Sequence, residues 1–158
     1  MYPQSLVSMK KEKIIKINYV SYISKHYVPS PRNIKKWIYL SIAKDLINHV
    51  NLIFVGEKRM QTLNNKYLKK DKPTNVLTFT YKEKEIIYGD IILCPKIINS
   101  EAKEFGFSSN SRWAHMIIHA MLHLQGHRHN SKKNRAFMEN IEVKLLTSMN
   151  FGNPYVRN

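Results

Sequence analysis

Apolar positions recur along this chain with two different periods, and the changes between them predict its elements. Lys13 to Val20 has the spacing of a short strand. Ser30-Pro31 is a helix start, with serine as N-cap and proline at the first helical position. Ile34, Ile38, Ile42, Leu46 and Ile47 then repeat at helical spacing. Leu52 to Val55 reads as a strand closed by Gly56, and Glu57 to Leu68 as a helix. Pro73 biases Lys72 away from helix, so Asp71 to Thr74 reads as a turn. Val76 to Tyr81 and Glu85 to Leu93 form two further strands, the second interrupted at Gly89-Asp90. Pro95 opens a helix to about Phe105, and a loop follows through Ser111. A helix from about Arg112 to Gln125 stops at Gly126. The last helix spans about Ser131 to Met149, with Met138, Ile141, Glu142, Leu145 and Met149 on one stripe. Short strands mixed among dominant helices predict an α+β fold, a small mixed sheet of about four strands packed against several helices.

Composition adds three constraints. The chain has 158 residues, sized for a single domain spanning 1–158, with 1–11 and 153–158 read as tails. Hydrophobic residues make up 43%, enough for a core, which excludes wholesale disorder. A single cysteine, Cys94, excludes an intramolecular disulfide or a multi-cysteine zinc site and makes a reduced compartment the default. No secretory signal is expected at the start, and no apolar stretch approaches the roughly 20 residues of a membrane span. Lys+Arg 26 against Asp+Glu 11 leaves +15, which points to a polyanionic partner, nucleic acid being the commonest and an anionic membrane surface the rival.

Candidate chemistry concentrates in the histidines. Five of the seven lie between His115 and His129. His115, His119 and His123 share a helix face by their spacing. Side chains eight residues apart on a helix start about 12 Å apart. Imidazole binds zinc at roughly 2.0–2.1 Å, so His115 and His123 cannot hold one ion together. An i, i+4 pair can. Glycine suits the left-handed residue after a helix end, so Gly126 lets the chain double back. His129 can then reach His119 and His123. His127 competes, but it follows the glycine before the reversal is complete. The expected triad is His119, His123 and His129, a metal-binding helix of zincin-like form. Three ligands leave the open fourth position of a catalytic site, whereas a closed structural site would add Cys94, His115 or His127.

The segment His119-Ala120-Met121-Leu122-His123-Leu124-Gln125-Gly126-His127-Arg128-His129 resembles the signature of the YbeY family of bacterial endoribonucleases. Asp71-Lys72-Pro73-Thr74-Asn75-Val76-Leu77-Thr78-Phe79 is similar to a second block of that family. Gly89-Asp90-Ile91, Glu101-Ala102, Trp113-Ala114-His115, Met138-Glu139, Glu142 and Pro154-Tyr155 fit in order and spacing. The resemblance implies one Zn²⁺ per chain on His119, His123 and His129. It also implies cleavage of single-stranded RNA in maturation of the 3′ end of small-subunit (16S) ribosomal RNA, and a part in ribosome quality control. Ribosomal RNA and the small subunit would be the partners, and the cytoplasm the location.

Three positions depart from the family pattern. Ala120 stands where the family usually has Gly, Arg128 where it has Asp, and Leu68 where an important Arg follows the aromatic, here Tyr67. Lys69 and Lys70 are candidates to serve the same phosphate as point charges, and Arg128 to supply the charge from the other side. These three are the candidate catalytic residues beside the metal. Lys66, Lys69, Lys70, Lys72 and Arg112 are the candidate RNA contacts. The zinc would polarise a phosphate oxygen or activate water while basic side chains neutralise developing charge. Trp113, Thr78 and Phe79 are expected to pack, and Cys94 to be buried and inert. Asp90 is either a turn residue or a hydrogen-bond acceptor behind the metal. A zinc metallopeptidase would need a Glu general base where Ala120 stands. The other alternative is a zinc-containing ribosome-assembly or RNA-binding protein with weakened turnover.

Overall fold

A computed structural model describes residues 14–20, 25–42 and 47–157. The first tail, Lys13 and Leu46 lie outside the described residues. The elements run β1 (Lys16–Val20), α1 (Pro31–Leu40), β2 (His49–Phe54), α2 (Glu57–Leu68), β3 (Val76–Glu83), β4 (Ile86–Leu93), α3 (Pro95–Phe105), α4 (Ser109–Leu124) and α5 (Lys132–Ser148). The four strands form one mixed sheet in the order β1-β2-β4-β3. β1 and β4 lie parallel to β2, and β3 returns antiparallel along β4.

Alternation in the strands sets the two faces. Val50, Leu52 and Phe54 of β2 share a face with Ile91 and Leu93 of β4, because Leu52 sits opposite Ile91 and Phe54 opposite Leu93. On that face they meet Ile34, Trp37 and Ile38 of α1 and most of α4 in the main core. Ile92 and Cys94 turn the other way and pack with Leu77 and with Met60 of α2. α4 is buried almost all round, with Trp113, Ile117, Ile118 and Met121 at 0% exposure. Burying each such large side chain contributes roughly 1.5–3 kcal/mol, so this helix supplies much of the core's stabilisation.

Helix boundaries follow local capping. The Ser30 hydroxyl accepts from the Asn33 N–H, as the Ser-Pro pair predicts. α1 nevertheless ends earlier than its apolar repeat suggests. The Ser41 hydroxyl donates to the Trp37 carbonyl at 2.6 Å, and Ile42 already lies outside the helix. α4 starts three residues before its expected beginning, inside the expected loop. There the Ser108 side chain caps it by accepting from the Ser111 N–H at 3.1 Å.

β4 also differs from expectation, since it runs unbroken through Gly89-Asp90. Gly89 pairs with Val50 and Thr80, and Asp90 with Asn51 and Phe79. The glycine serves close packing rather than a turn: a Cβ there would lie 2.6 Å from Leu124 Cδ1 at the end of α4. Asp90 accepts from the Asn51 side chain at 2.8 Å on the opposite face.

Candidate metal centre

The end of α4 builds the centre. Gly126 has φ of +97°, and its N–H donates to the His123 carbonyl at 3.0 Å. The His127 N–H donates to the Leu122 carbonyl, also at 3.0 Å, which completes a Schellman motif. The reversal carries His129 back over α4. Its ring centroid lies 4.8 Å from that of His123 and 5.7 Å from that of His119. One ring nitrogen from each of the three lies within 4.8 Å of the others.

Hydrogen bonds decide which nitrogens are free. His119 Nδ1 donates to Glu142 Oε1 at 2.8 Å. His123 Nδ1 donates to the His127 carbonyl at 3.0 Å. With each Nδ1 engaged in this way, Nε2 is the ring nitrogen left to bind, and these two atoms face each other at 3.1 Å. Two lone pairs converging without a proton between them fit a shared Lewis acid. Tetrahedral ligands at zinc distances would stand about 3.4 Å apart, close to this spacing. The triad can therefore hold a metal ion. Burial, and after it the neighbouring His119, pushes His123 down to about 4, so its imidazole stays neutral and ready to ligate well below pH 7.

Glu142 organises the centre from α5. Its carboxylate accepts from His119 through one oxygen and from His115 Nε2 and the Tyr155 hydroxyl through the other. Burial works to raise this carboxyl, but the hydrogen bonds from His115 and His119 outweigh it and hold Glu142 far below the usual range. Burial lowers His115, which leaves it a neutral ring between Glu142 and Arg112. Tyr155 is raised by burial and then by the Glu142 carboxylate it donates to.

Other potential fourth ligands are engaged elsewhere. His115 belongs to the Glu142 side, Cys94 lies in the cluster on the other sheet face, and His127 stacks on Phe137 at 5.7 Å. Trp113 is core, as expected, and its Nε1–H donates to Asn99.

Two cavities meet at the triad, and His119, His129 and Asn75 line both. One, of about 620 Å³, runs along β3 past Thr78 and Phe79 and is bordered by Leu68 and Arg128. The other, of about 490 Å³, opens between α3, α4 and α5.

The basic candidates are placed unevenly around them. Lys66, Lys69, Lys70 and Lys72 line neither cavity, whereas Leu68, 51% exposed, lines the first. The cause is the end of α2. Lys69 takes a left-handed φ of 57°, and Asn64 Nδ2 ties the turn down by donating to the Lys72 carbonyl at 2.8 Å. Lys69 and Lys70 thus sit on an exposed rim rather than against a phosphate beside the histidines. Arg128 lies at the groove, but its Nη1 donates to the carbonyls of His123 (3.0 Å) and His127 (3.1 Å), capping the negative end of α4. Arg112 lines the second cavity. It is buried and paired with Glu101 at 2.9 Å, and Asn75 donates to that same carboxylate.

Sequence reasoning missed the roles of Glu142 and Tyr155. The signal for Glu142 was present: a carboxylate on an apolar stripe must find donors when buried, and histidines are the available ones. Tyr155 had no such signal. Of the segment read as a second tail, residues 153–157 are described and lie against the centre, with Tyr155 on Glu142 and Arg157 3.6 Å from the Phe105 ring centroid.

The family profile described as Endoribonuclease YbeY matches residues 8–150. The chain belongs to this YbeY family. Membership makes it an endoribonuclease, a hydrolase of RNA phosphodiester bonds. The Endoribonuclease YbeY of Buchnera aphidicola is 38% identical over 133 residues, covering 81% of this chain and 84% of that one. That of Francisella tularensis is 33% identical over 152 residues, covering 90% and 93%. The solution structure of TM1509 from Thermotoga maritima superposes with a TM-score of 0.51 at 28% identity, over 91% of this chain and 100% of that one. Among the described residues, no helix is long and apolar enough to cross a membrane.

Proposed function

We propose that this YbeY-family chain is a zinc-dependent, single-strand-specific endoribonuclease that matures the 3′ end of small-subunit ribosomal RNA and acts in ribosome quality control. Its partners are ribosomal RNA and the small subunit, and it works in the cytoplasm. The observation that supports this best is the convergence of His119, His123 and His129 where two open cavities join. A recessed trough of that kind admits a single strand more readily than a duplex.

His119, His123 and His129 would hold one Zn²⁺, which supplies a Lewis acid for the phosphodiester and lowers the pKa of water. The chain's own residues prepare the ligands. Glu142 holds the His119 proton on Nδ1, and the His127 carbonyl holds the His123 proton on Nδ1. Arg128 fixes the reversal after α4 and lends positive charge to the groove. Lys66, Lys69, Lys70 and Lys72 attract RNA at longer range from the rim.

A second reading keeps the zinc and the RNA binding but weakens turnover, giving a ribosome-assembly protein. It is favoured by Leu68, an apolar side chain at the groove, and by the engagement of Arg128 with backbone carbonyls. The metallopeptidase reading lacks its base, since position 120 is a fully buried alanine.

Metal content and cleavage of single-stranded RNA by wild type, His119→Ala and Leu68→Arg separate these readings. The endoribonuclease reading expects zinc-dependent cleavage by wild type and loss of both zinc and cleavage in His119→Ala. Normal metal content in His119→Ala would overturn the ligand assignment. Cleavage that appears only in Leu68→Arg would establish the second reading.

A further inference from the structure

The charge that reaches the metal position comes from an unexpected side. The groove along β3 contributes Leu68, threonines and one arginine already capping α4. The cavity between α3, α4 and α5 is lined by Arg112, Arg135 and Arg157. Arg112 is neutralised by Glu101. Arg135 and Arg157 make no ion pair among the described residues, and Arg157 only packs against Phe105. Opposing them, Glu142 is satisfied by three donors, which leaves Glu139 as the free carboxylate at this wall. The start of α5 adds to the field: its first turn holds no acid and begins with Lys132 and Lys133, at the positive end of the helix dipole.

We propose that this arginine-lined cavity is the subsite for the RNA on one side of the cut. Arg135 and Arg157 each grip one of the two phosphates next to the scissile one, and the strand continues through the triad into the β3 groove. The proposal rests on the endoribonuclease reading above and names the residues that hold its substrate. Guanidinium suits the task because its planar fork binds phosphate oxygens in pairs, as a lysine rim cannot. Continuity is built in, since His119, His129 and Asn75 border both cavities.

The test measures binding of a fluorescein-labelled, fully 2′-O-methylated single-stranded RNA to the zinc-loaded full chain across a salt titration. It compares wild type, Arg135→Gln/Arg157→Gln and the charge-matched Lys69→Gln/Lys70→Gln. Losing two phosphate contacts should flatten the slope of log K against log salt by about 1.4 and weaken binding at least about tenfold. The lysine pair should lose clearly less. Equal losses would mean that net charge alone acts, and an arginine pair within about threefold of wild type would remove the subsite; either overturns the proposal. If the double variant does not fold, the exposed Arg135→Gln alone is judged by half the slope change. Wild type that binds but does not cut unmodified RNA would sink the enzymatic reading while leaving the subsite to the binding data. Wild type that does not bind would sink the subsite.

Discussion

Replacing Glu142 by Gln changes one atom type at the point where three donors converge. The native carboxylate offers an acceptor to His119 Nδ1 at 2.8 Å and another to His115 and Tyr155. Glutamine keeps one oxygen and turns the other site into a donor. If the amide nitrogen faces His119, the imidazole must move its proton to Nε2, the nitrogen the metal needs. If it faces the other way, His115 and Tyr155 both lose their acceptor, and the buried His115 has no water to replace it. Partners behind a metal ligand commonly contribute 10–100-fold to affinity, so Glu142→Gln should weaken zinc binding by about that factor, roughly 1.4–2.8 kcal/mol. Zinc competition against a chromophoric chelator at pH 7.5 reads the affinity, and melting with and without zinc separates it from stability. A Gln variant whose zinc affinity stays within twofold of wild type would refute the claim that Glu142 sets the His119 tautomer.

In the metal-free protein, His123 is lowered to about 4 and His115 is lowered as well, so from pH 6.5 downward the unfolded chain binds protons that the native state refuses. Stability should rise with pH between about 4 and 6.5 and gain nothing further from these groups above it; urea midpoints of chelator-treated protein should show this, with a shallower slope in His123→Gln. Gly126→Ala meets no atom within 4 Å, so its cost is the left-handed backbone alone, about 1–2 kcal/mol by urea unfolding, with weaker zinc binding because His129 rides on that turn. Tyr155→Phe removes a hydrogen bond to a buried carboxylate and should cost about 1.5 kcal/mol; an unchanged melting temperature would mean that the C-terminal segment does not close over the centre.

The readable parts of this protein are those whose physics is contained in a few neighbouring residues. Helical pitch places His119 and His123 together, and the sign of φ that glycine tolerates brings His129 back. Strand alternation and serine caps are equally local, which is why the mixed sheet and most helix starts were legible. The errors arose where distant packing overrode a local rule. Gly89 looked like a break but is small because Leu124 presses on it. The same packing is why the sequence could not show that Arg112, a candidate RNA contact, is buried and paired with Glu101.

By itself, then, the sequence determined the spacing of the three converging histidines, the element order and the basic balance, because each follows from chain stereochemistry or from counting charges. Only the tertiary structure decided that Glu142 meets histidines 27 and 23 positions away, that Tyr155 closes over them, and that arginines rather than the lysine run face the trough. Those choices depend on how α5 and the last residues dock against α4. Docking is a global solution to burying apolar surface and pairing buried charge, and no short window of the chain encodes it.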